Sequence, residues 1–405
     1  MTVLDKKTLP ALLINNALFN FSRTLPGAII VVVILAHGVS LQAFTLAKAL
    51  QLITSTIVTI PAGMVADRYG RKKALIIACL CQIMYFSLLI EPTSNKVILG
   101  EIFNGMGLAF YAGSYEAWLL HLNSKRHDYR FMNNIIRSSE MVFLSITTAS
   151  IIGALISTYV FIITVICLIL VTLFYCILPE EKAGAPENKE KPLPSRMIFV
   201  SAFRYLLVSN IGKVFLISGV VSIGMMQFIY QYWQPFFVHT GLVQPLVLAL
   251  IFSFTLCGQY LYSILFRKYI YTKLPLIPSI VLSLLLASSS LYLLLFFSSS
   301  TALIVIVIFL YASFNGLLSN ATNLVNVLVA RNIDKQYHST GISIIDLIGK
   351  CTGGIALFVV IPFISSANIF WIWLSFALLL SVLAIILYLL HARAIFANES
   401  HDIIR

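Results

Sequence analysis

The stretch Gly63-Met64-Val65-Ala66-Asp67-Arg68-Tyr69-Gly70-Arg71-Lys72-Lys73-Ala74-Leu75 joins two long apolar segments of the chain. It holds four cations, one carboxylate and two glycines. A short basic loop between two apolar segments is typical of the cytoplasmic face of a membrane. Gly70 suits a turn at positive φ, and Gly63 suits a close approach of two helices. The stretch therefore predicts a tight cytoplasmic loop between two membrane spans.

The composition of the whole chain agrees with a membrane protein. Of the 405 residues, 60% are hydrophobic and only 10% are charged. Several charge-free runs exceed the ~20 residues that a bilayer-spanning helix needs. The six cysteines lie in apolar segments without metal-ligand spacing, so we expect buried free thiols. The first apolar run, residues 11–35, is too long for the core of a signal peptide and is interpreted as a span.

The positive charges are distributed unevenly between the two sides of the predicted membrane. Of the 27 Lys and Arg residues, four (Arg23, Lys48, Lys213 and Lys350) lie within or at the ends of predicted spans, and Lys96 alone lies on the far side. All the others fall on one side, which the positive-inside rule assigns to the cytoplasm. The net charge of +12 therefore reflects membrane topology and does not indicate nucleic-acid binding.

The chain is predicted to contain twelve spans in two sets of six. The first four cover residues 11–35, 41–66, 74–90 and 97–121, and the next two meet at residues 157–159. The remaining pairs turn near residues 239–245, 298–301 and 365–368. The composition between the sets changes to Pro, Glu, Lys and Ala, which is typical of an exposed linker. We therefore predict a six-helix bundle at 1–178, a cytoplasmic linker at 179–204, and a second bundle with a short tail at 205–405.

The loop resembles, position for position, the signature G-x-x-x-D-R-x-G-R-K-K of the major facilitator superfamily. The matching residues are Gly63, Asp67, Arg68, Gly70, Arg71, Lys72 and Lys73. The resemblance implies an all-α membrane protein with twelve transmembrane helices in two pseudo-symmetric bundles. It also implies a bacterial inner-membrane protein, commonly a monomer, with both termini in the cytoplasm. In the family the loop carboxylate braces the two halves, which suggests that Asp67, Arg71 and Glu116 form a gate brace.

Polar residues form stripes on four of the predicted spans. On span 1, Asn16, Asn20 and Arg23 follow helical spacing and share one face. In the superfamily, helices 1, 4, 7 and 10 line the central cavity, and these are the four spans with stripes. We therefore predict a substrate site at Asn16, Asn20, Arg23, Tyr111, Tyr115, Gln227, Tyr230, Gln231, Gln234, Asn315 and Asn323. The alternative is that these amides join helices to one another.

Three carboxylates within the predicted spans are candidates for proton coupling. An ionisable group inside a membrane is energetically costly, so its presence there indicates a functional role. Glu140 and Asp346 each have a cation on their own helix face, Arg137 and Lys350, so either could form a self-neutralising pair. Glu101 replaces an arginine that many family members carry in a glycine-rich pattern on helix 4. Glu101 could pair with Lys48, or it could be an outward-facing protonation site.

The predicted function is secondary active transport by alternating access, most plausibly proton-coupled export of a small organic molecule. Aromatic residues favour a drug-like cation, whereas the buried cations favour an organic anion or a siderophore. Of the proline-glycine element that related exporters carry on helix 5, only Gly153 remains. An uptake symporter and a non-transporting sensor are the alternatives. The sequence contains no phosphate-binding loop, metal-ligand cluster or catalytic triad, so we expect neither a cofactor nor an enzyme.

Overall fold

The computed structural model describes residues 3–124, 130–179, 210–242, 244–270, 273–298, 303–332 and 338–402. Apart from its first residue, the linker predicted at 179–204 lies outside this part. The described chain is helical, and its α-helices, numbered in chain order, are α1 Val3–Thr24, α2 Ile30–Ala36, α3 Leu41–Tyr69, α4 Arg71–Leu88, α5 Ser94–Ser124, α6 Arg130–Leu155, α7 Val160–Ile177, α8 Asn210–His239, α9 Pro245–Leu265, α10 Leu276–Phe297, α11 Ile304–Asn332, α12 His338–Val360 and α13 Ile369–Asp402.

The first predicted span is broken in the structure. A continuous helix was expected over residues 11–35, but α1 ends at Thr24 and α2 begins at Ile30. Pro26 and Gly27 lie in the gap, where proline lacks an N–H donor and glycine disfavours a continuous helix. With α1 and α2 taken together, the described residues contain twelve helical segments that correspond to the twelve predicted spans.

The predicted turns within the membrane-spanning pairs agree with the structure. A 3₁₀ turn at Ser157–Tyr159 separates α6 from α7. The turns near residues 239–245, 298–301 and 365–368 likewise fall between α8 and α9, between α10 and α11, and between α12 and α13. These predictions are correct because polar residues and proline rarely lie at the centre of a lipid-exposed helix, so they mark the end of each apolar run.

Seven helical segments of the described chain are long and apolar enough to cross a membrane. They are Leu41–Ala66, Ser157–Ile177, Pro245–Ile270, Leu276–Phe297, Ile304–Val325, Asp346–Phe363 and Ile369–Leu389. Many large apolar side chains remain exposed on these segments; Ile177 is 78% exposed and Val305 is 74% exposed. An outer surface of this kind is suited to lipid, because hydrocarbon does not penalise exposed apolar side chains.

The chain divides into two compact units. Unit 1 contains Met1–Lys189 together with Leu242–Ser253 and Gly354–Ser365, and unit 2 contains the remainder. In unit 1, α4 packs on α5 and α7, and α1 packs on α5 and α7. In unit 2, α10 packs on α11 and α13, and α8 packs on α11 and α13 in the same pattern. This repeated packing is the pseudo-symmetry expected from the sequence.

Glycine allows a close helix approach at Gly153 but not at Gly63. A Cβ atom on Gly153 of α6 would collide with the backbone carbonyl of Leu25, at the break in the first span. The close approach expected at Gly63 is absent, since a Cβ atom there would meet no atom within 4 Å. Gly70 has the predicted positive φ, at 100°. The six cysteines are free as expected, but only Cys79 and Cys81 are buried; Cys176 is exposed and the other three are partly exposed.

Candidate functional site

Two helices of unit 1 bring four predicted site residues to one cavity. Asn16 and Asn20 lie on α1, and Tyr111 and Tyr115 lie on α5, where helical spacing places each pair on one face. They line a cavity of about 410 Å³. The structure thus brings together the polar stripes of the first and fourth spans.

Hydrogen bonds link the polar side chains of this cavity. Asn20 Nδ2 donates to Tyr111 Oη at 3.0 Å and to Asn16 Oδ1 at 3.0 Å, and the Tyr111 hydroxyl also donates to Asn16. The rings of Tyr111 and Tyr115 are parallel, with centroids 5.7 Å apart. The cavity therefore offers amide groups, phenolic hydroxyls and a flat aromatic wall to a small molecule.

A third helix contributes residues that the sequence reasoning missed. Ser138 of α6 lies 2.6 Å from the hydroxyl of Tyr115 and accepts a hydrogen bond from Asn16 Nδ2 at 3.3 Å. Val142, Phe143 and Ile146 complete the cavity wall. A single serine in an amphipathic helix gives no distinct signal in sequence. Only the packing of α6 against α1 shows that it belongs to the site.

A buried charge network lies beside this cavity in unit 1. The Nζ atom of Lys48 is 2.6 Å from Glu101 Oε1, and the two side chains are 10% and 0% exposed. Tyr85 Oη donates to Glu101 Oε1 at 2.7 Å, and Asn104 Nδ2 donates to Glu101 Oε2 at 2.8 Å. Both carboxylate oxygens thus have donors. Of the two possibilities for Glu101, the structure contains the pair with Lys48.

Arg23 lies one turn beyond Asn20 on α1 and is partly buried. Its guanidinium interacts electrostatically with Tyr111, Tyr85 and Glu101. Within the described part of the chain, no ion pair or hydrogen bond joins the Arg23 side chain to another residue. The Arg23, Lys48 and Glu101 cluster therefore has two cations and one carboxylate, a net charge of +1.

The predicted site residues of unit 2 lie in different environments. Tyr230 Oη accepts a hydrogen bond from Gln259 Nε2 at 3.1 Å, and Asn315 Nδ2 donates to the Tyr311 carbonyl at 2.8 Å. Gln234 is buried, whereas Asn323 is exposed.

Two further predicted site residues of unit 2 lie on α8. Gln227 packs against Gly353 of α12, and Gln231 is partly buried. A cavity of about 610 Å³ is lined by residues at the ends of helices in this unit, including Phe236, His239 and Phe370. None of its lining residues belongs to the predicted substrate site.

The remaining carboxylates occupy different environments. Asp346 Oδ2 and Lys350 Nζ are 2.6 Å apart, which is the self-neutralising pair that the sequence suggested. Glu140 is exposed on α6, and none of the described side chains forms an ion pair or hydrogen bond with it. The side chain of Arg137, its suggested partner, lies outside the described part.

Part of the basic Gly63–Leu75 stretch of unit 1 also has defined contacts. Lys72 Nζ donates to the carbonyls of Cys176 at 2.8 Å and Leu178 at 2.6 Å, at the carboxyl end of α7. Arg68 stacks over the ring of Tyr69, and Arg71 and Lys73 also make contacts. The side chains of Asp67 and Glu116 lie outside the described part, so the brace expected between them and Arg71 is still a prediction.

Comparisons with known proteins agree on the fold. No curated protein matches the chain by sequence. Solved structures that resemble it include the nucleoside transporter NupG, with a TM-score of 0.74, 13% identity, and 96% of this chain and 99% of that one covered. A D-xylose–proton symporter has a TM-score of 0.69 and 13% identity, with 93% and 96% covered.

A third similar structure is a POT family transporter in complex with 5-aminolevulinic acid, with a TM-score of 0.72, 14% identity, and 95% and 96% covered. At such low identities these likenesses establish the fold alone. The model of the Major Facilitator Superfamily matches residues 12–358. The chain therefore belongs to the major facilitator superfamily and is a secondary transporter with that fold.

Proposed function

We propose that the protein transports a small organic anion, with Arg23 as the group that receives the anionic part of the substrate. The observation that supports this is the Arg23 guanidinium, which forms no ion pair with any described residue and interacts with Tyr111 of the cavity. A cation in a membrane-embedded site is costly unless a negative group compensates it. Glu101 is already bonded to Lys48, Tyr85 and Asn104, so a substrate carboxylate is the natural partner of Arg23.

The cavity is suited to the rest of such a molecule. The parallel rings of Tyr111 and Tyr115 offer a flat surface for an aromatic or unsaturated group, and Asn16 and Asn20 offer amide hydrogen bonds. Gln227, Tyr230, Gln231, Gln234, Asn315 and Asn323 would supply the contacts of unit 2. An organic anion or a siderophore satisfies this chemistry better than a lipophilic cation, which Arg23 would repel.

Thermal stabilisation of the detergent-purified protein tests this assignment. A ligand that binds the folded state raises its melting temperature by mass action. The probes are salicylate, citrate and the lipophilic cation tetraphenylphosphonium, each with wild type and Arg23→Ala. Stabilisation by either anion that disappears in Arg23→Ala supports the proposal. Stabilisation by tetraphenylphosphonium alone, in both proteins, contradicts it and favours efflux of cationic compounds.

For the driving force we propose proton-coupled export across a bacterial inner membrane, with Glu140 as the first candidate for the proton. Its carboxylate is exposed and has no described partner, whereas Glu101 and Asp346 are each paired with a lysine. One similar solved structure is a proton symporter, which supports proton coupling but favours neither direction. Both termini would be cytoplasmic, with Asp67, Arg71 and Glu116 bracing that face.

Flux of labelled substrate in proteoliposomes tests the coupling. Glu140→Gln should abolish uphill transport driven by a proton gradient while it leaves substrate exchange intact. Glu91→Gln is the control, because Glu91 is an exposed acid whose oxygen is 3.8 Å from Lys96 Nζ. Normal uphill transport by Glu140→Gln would exclude Glu140 as the proton site. The sign of the gradient that drives accumulation distinguishes export from the alternative, uptake by symport.

A further inference from the structure

In the buried network of unit 1, Glu101 has two hydrogen-bond donors in addition to the lysine that balances its charge. Glu101 Oε1 contacts both Lys48 Nζ and Tyr85 Oη, at 2.6 and 2.7 Å, and Oε2 accepts a hydrogen bond from Asn104 Nδ2 at 2.8 Å. Asn104 is in turn held by Gln82, whose Nε2 donates to Asn104 Oδ1 at 3.0 Å. These contacts fix the carboxylate in one position, turned toward Lys48.

Lys48 is held as firmly as its partner. The lysine is 10% exposed at its side chain, and its Nζ lies 5.5 Å from the centroid of the Phe44 ring, one turn earlier on α3. A desolvated ammonium gains from both a carboxylate and an aromatic face. Two independent contacts therefore set the position of Lys48, and Glu101 balances its charge.

Arg23 would be the next cation available to Glu101. The guanidinium is close enough to Glu101 for an electrostatic interaction, although it forms no ion pair there. Charges in a protein interior still interact without direct contact, because the effective dielectric constant of about 20 is well below that of water. If Lys48 lost its charge, Arg23 would be the cation of this cluster that still acts on Glu101.

We propose that Lys48 is a positioning residue that sets the charge preference of the substrate site: by pairing with Glu101, it leaves the Arg23 guanidinium available for the anionic group of the substrate. This inference rests on the proposed function, because it concerns the same cation. It adds that a residue outside the cavity wall decides whether the site prefers anions. Without the Lys48 charge, Glu101 would compensate Arg23 and compete with the substrate.

The test compares each anionic probe with an uncharged counterpart, salicylate with salicylamide and citrate with triethyl citrate. Binding constants are measured on folded protein for wild type, Lys48→Gln, Glu101→Gln and the double variant. Lys48→Gln keeps an N–H donor for Glu101 but removes the charge. Its preference for the anion over the neutral counterpart should fall by roughly tenfold or more. Lys350→Gln is the matched control, because it neutralises a lysine at the same 2.6 Å distance from a carboxylate in unit 2.

The double variant Lys48→Gln/Glu101→Gln should regain the anion preference, because no carboxylate remains to compete for Arg23. Equal losses for the anion and its neutral counterpart in Lys48→Gln would mean a merely structural role and would overturn the inference. An unchanged preference in Lys48→Gln, or a failure of the double variant to regain it, would also overturn it. If wild type itself binds neither anion, the proposed function fails and this inference fails with it.

Glu101→Gln gives a second measurement if Lys48→Gln does not fold. This variant leaves no unpaired carboxylate in the interior, and Lys48 stays beside Arg23. Its preference for salicylate or citrate should equal or exceed that of wild type, because the net charge of the cluster rises. A weaker preference than that of wild type would show that Glu101 itself supports anion binding and would overturn the inference.

Discussion

Among the described residues, each unit of the transporter contains a lysine–carboxylate pair 2.6 Å long, and the two pairs lie in different surroundings. Lys48 and Glu101 in unit 1 are 2.6 Å apart with side chains 10% and 0% exposed. Lys350 and Asp346 in unit 2 are also 2.6 Å apart, but their side chains are 30% and 49% exposed. The distance alone would rank the two pairs as equal. Their burial shows that they are not.

The difference follows from desolvation. The pair of unit 2 spans one turn of a single helix and its side chains are partly exposed, so breaking it leaves neither charge fully buried. The pair of unit 1 joins α3 to α5 in the interior, where an orphaned charge has no water to replace its partner. The two units thus repeat the same helix packing, but their ion pairs differ in burial and therefore in the cost of breaking them.

The largest expected effect is that of Lys48→Met. Removal of the lysine leaves the buried Glu101 carboxylate without its ion-pair partner, and the longer-range interaction with Arg23 does not replace that contact, so we expect a loss of about 3–5 kcal/mol of unfolding free energy. Unfolding in mixed micelles with increasing denaturing detergent measures the change. Adding Glu101→Gln to the variant should restore most of the loss. A single variant as stable as wild type would show that the burial of this pair does not matter.

Gly153→Ala compares the helix packing of the two units. The new methyl group would collide with the Leu25 carbonyl, and we expect a loss of about 1–3 kcal/mol from the backbone shift that follows. Gly258→Ala in unit 2 should cost less, because its Cβ atom would lie 3.2 Å from the methyl of Ala312. Gly113→Ala is the open control, with no atom within 4 Å. Similar melting temperatures for all three variants would contradict the tight contact at Gly153.

Lys72→Met tests a lysine of unit 1 that meets carbonyl groups instead of a carboxylate. The ammonium donates to two carbonyls at the carboxyl end of α7, where a cation also complements the helix dipole. We expect a loss of about 1–2 kcal/mol, measured as before. Lys96→Met is the control, since its ion pair with Glu91 is 3.8 Å long and exposed. Equal stability of the two variants would indicate that Lys72 serves only the topology.

The smallest effect is expected for Lys350→Met. Its pair with Asp346 is partly solvated and joins residues one turn apart, so its loss should cost about 0–1 kcal/mol. The measurement is the same unfolding titration. A cost as large as that of Lys48→Met would show that length, not burial, decides the strength of these pairs, and would remove the contrast between the two units.

The residues of the candidate site that could be predicted from sequence are those with a local signal, such as helical spacing. The stripes at Asn16, Asn20, Tyr111 and Tyr115 were found because helical spacing places residues on one face, and unit 1 joins these faces. Ser138 was missed because one serine has no periodic signal. The substrate contacts assigned to the stripes of unit 2 stay a prediction, because which face of a helix its neighbours cover depends on packing.

By itself, the sequence determined the class, the number of spans and the family of this protein. Long apolar runs, their polar boundaries and the Gly63–Leu75 loop are local features, and the bilayer imposes length and polarity on each span separately. The tertiary structure alone decided which charges meet between different helices. Glu101 had two possible roles in sequence and is paired with Lys48 in the structure, while Arg23 has no described partner. Such pairings depend on distances between helices that are far apart in the chain, and no periodicity along one helix records them.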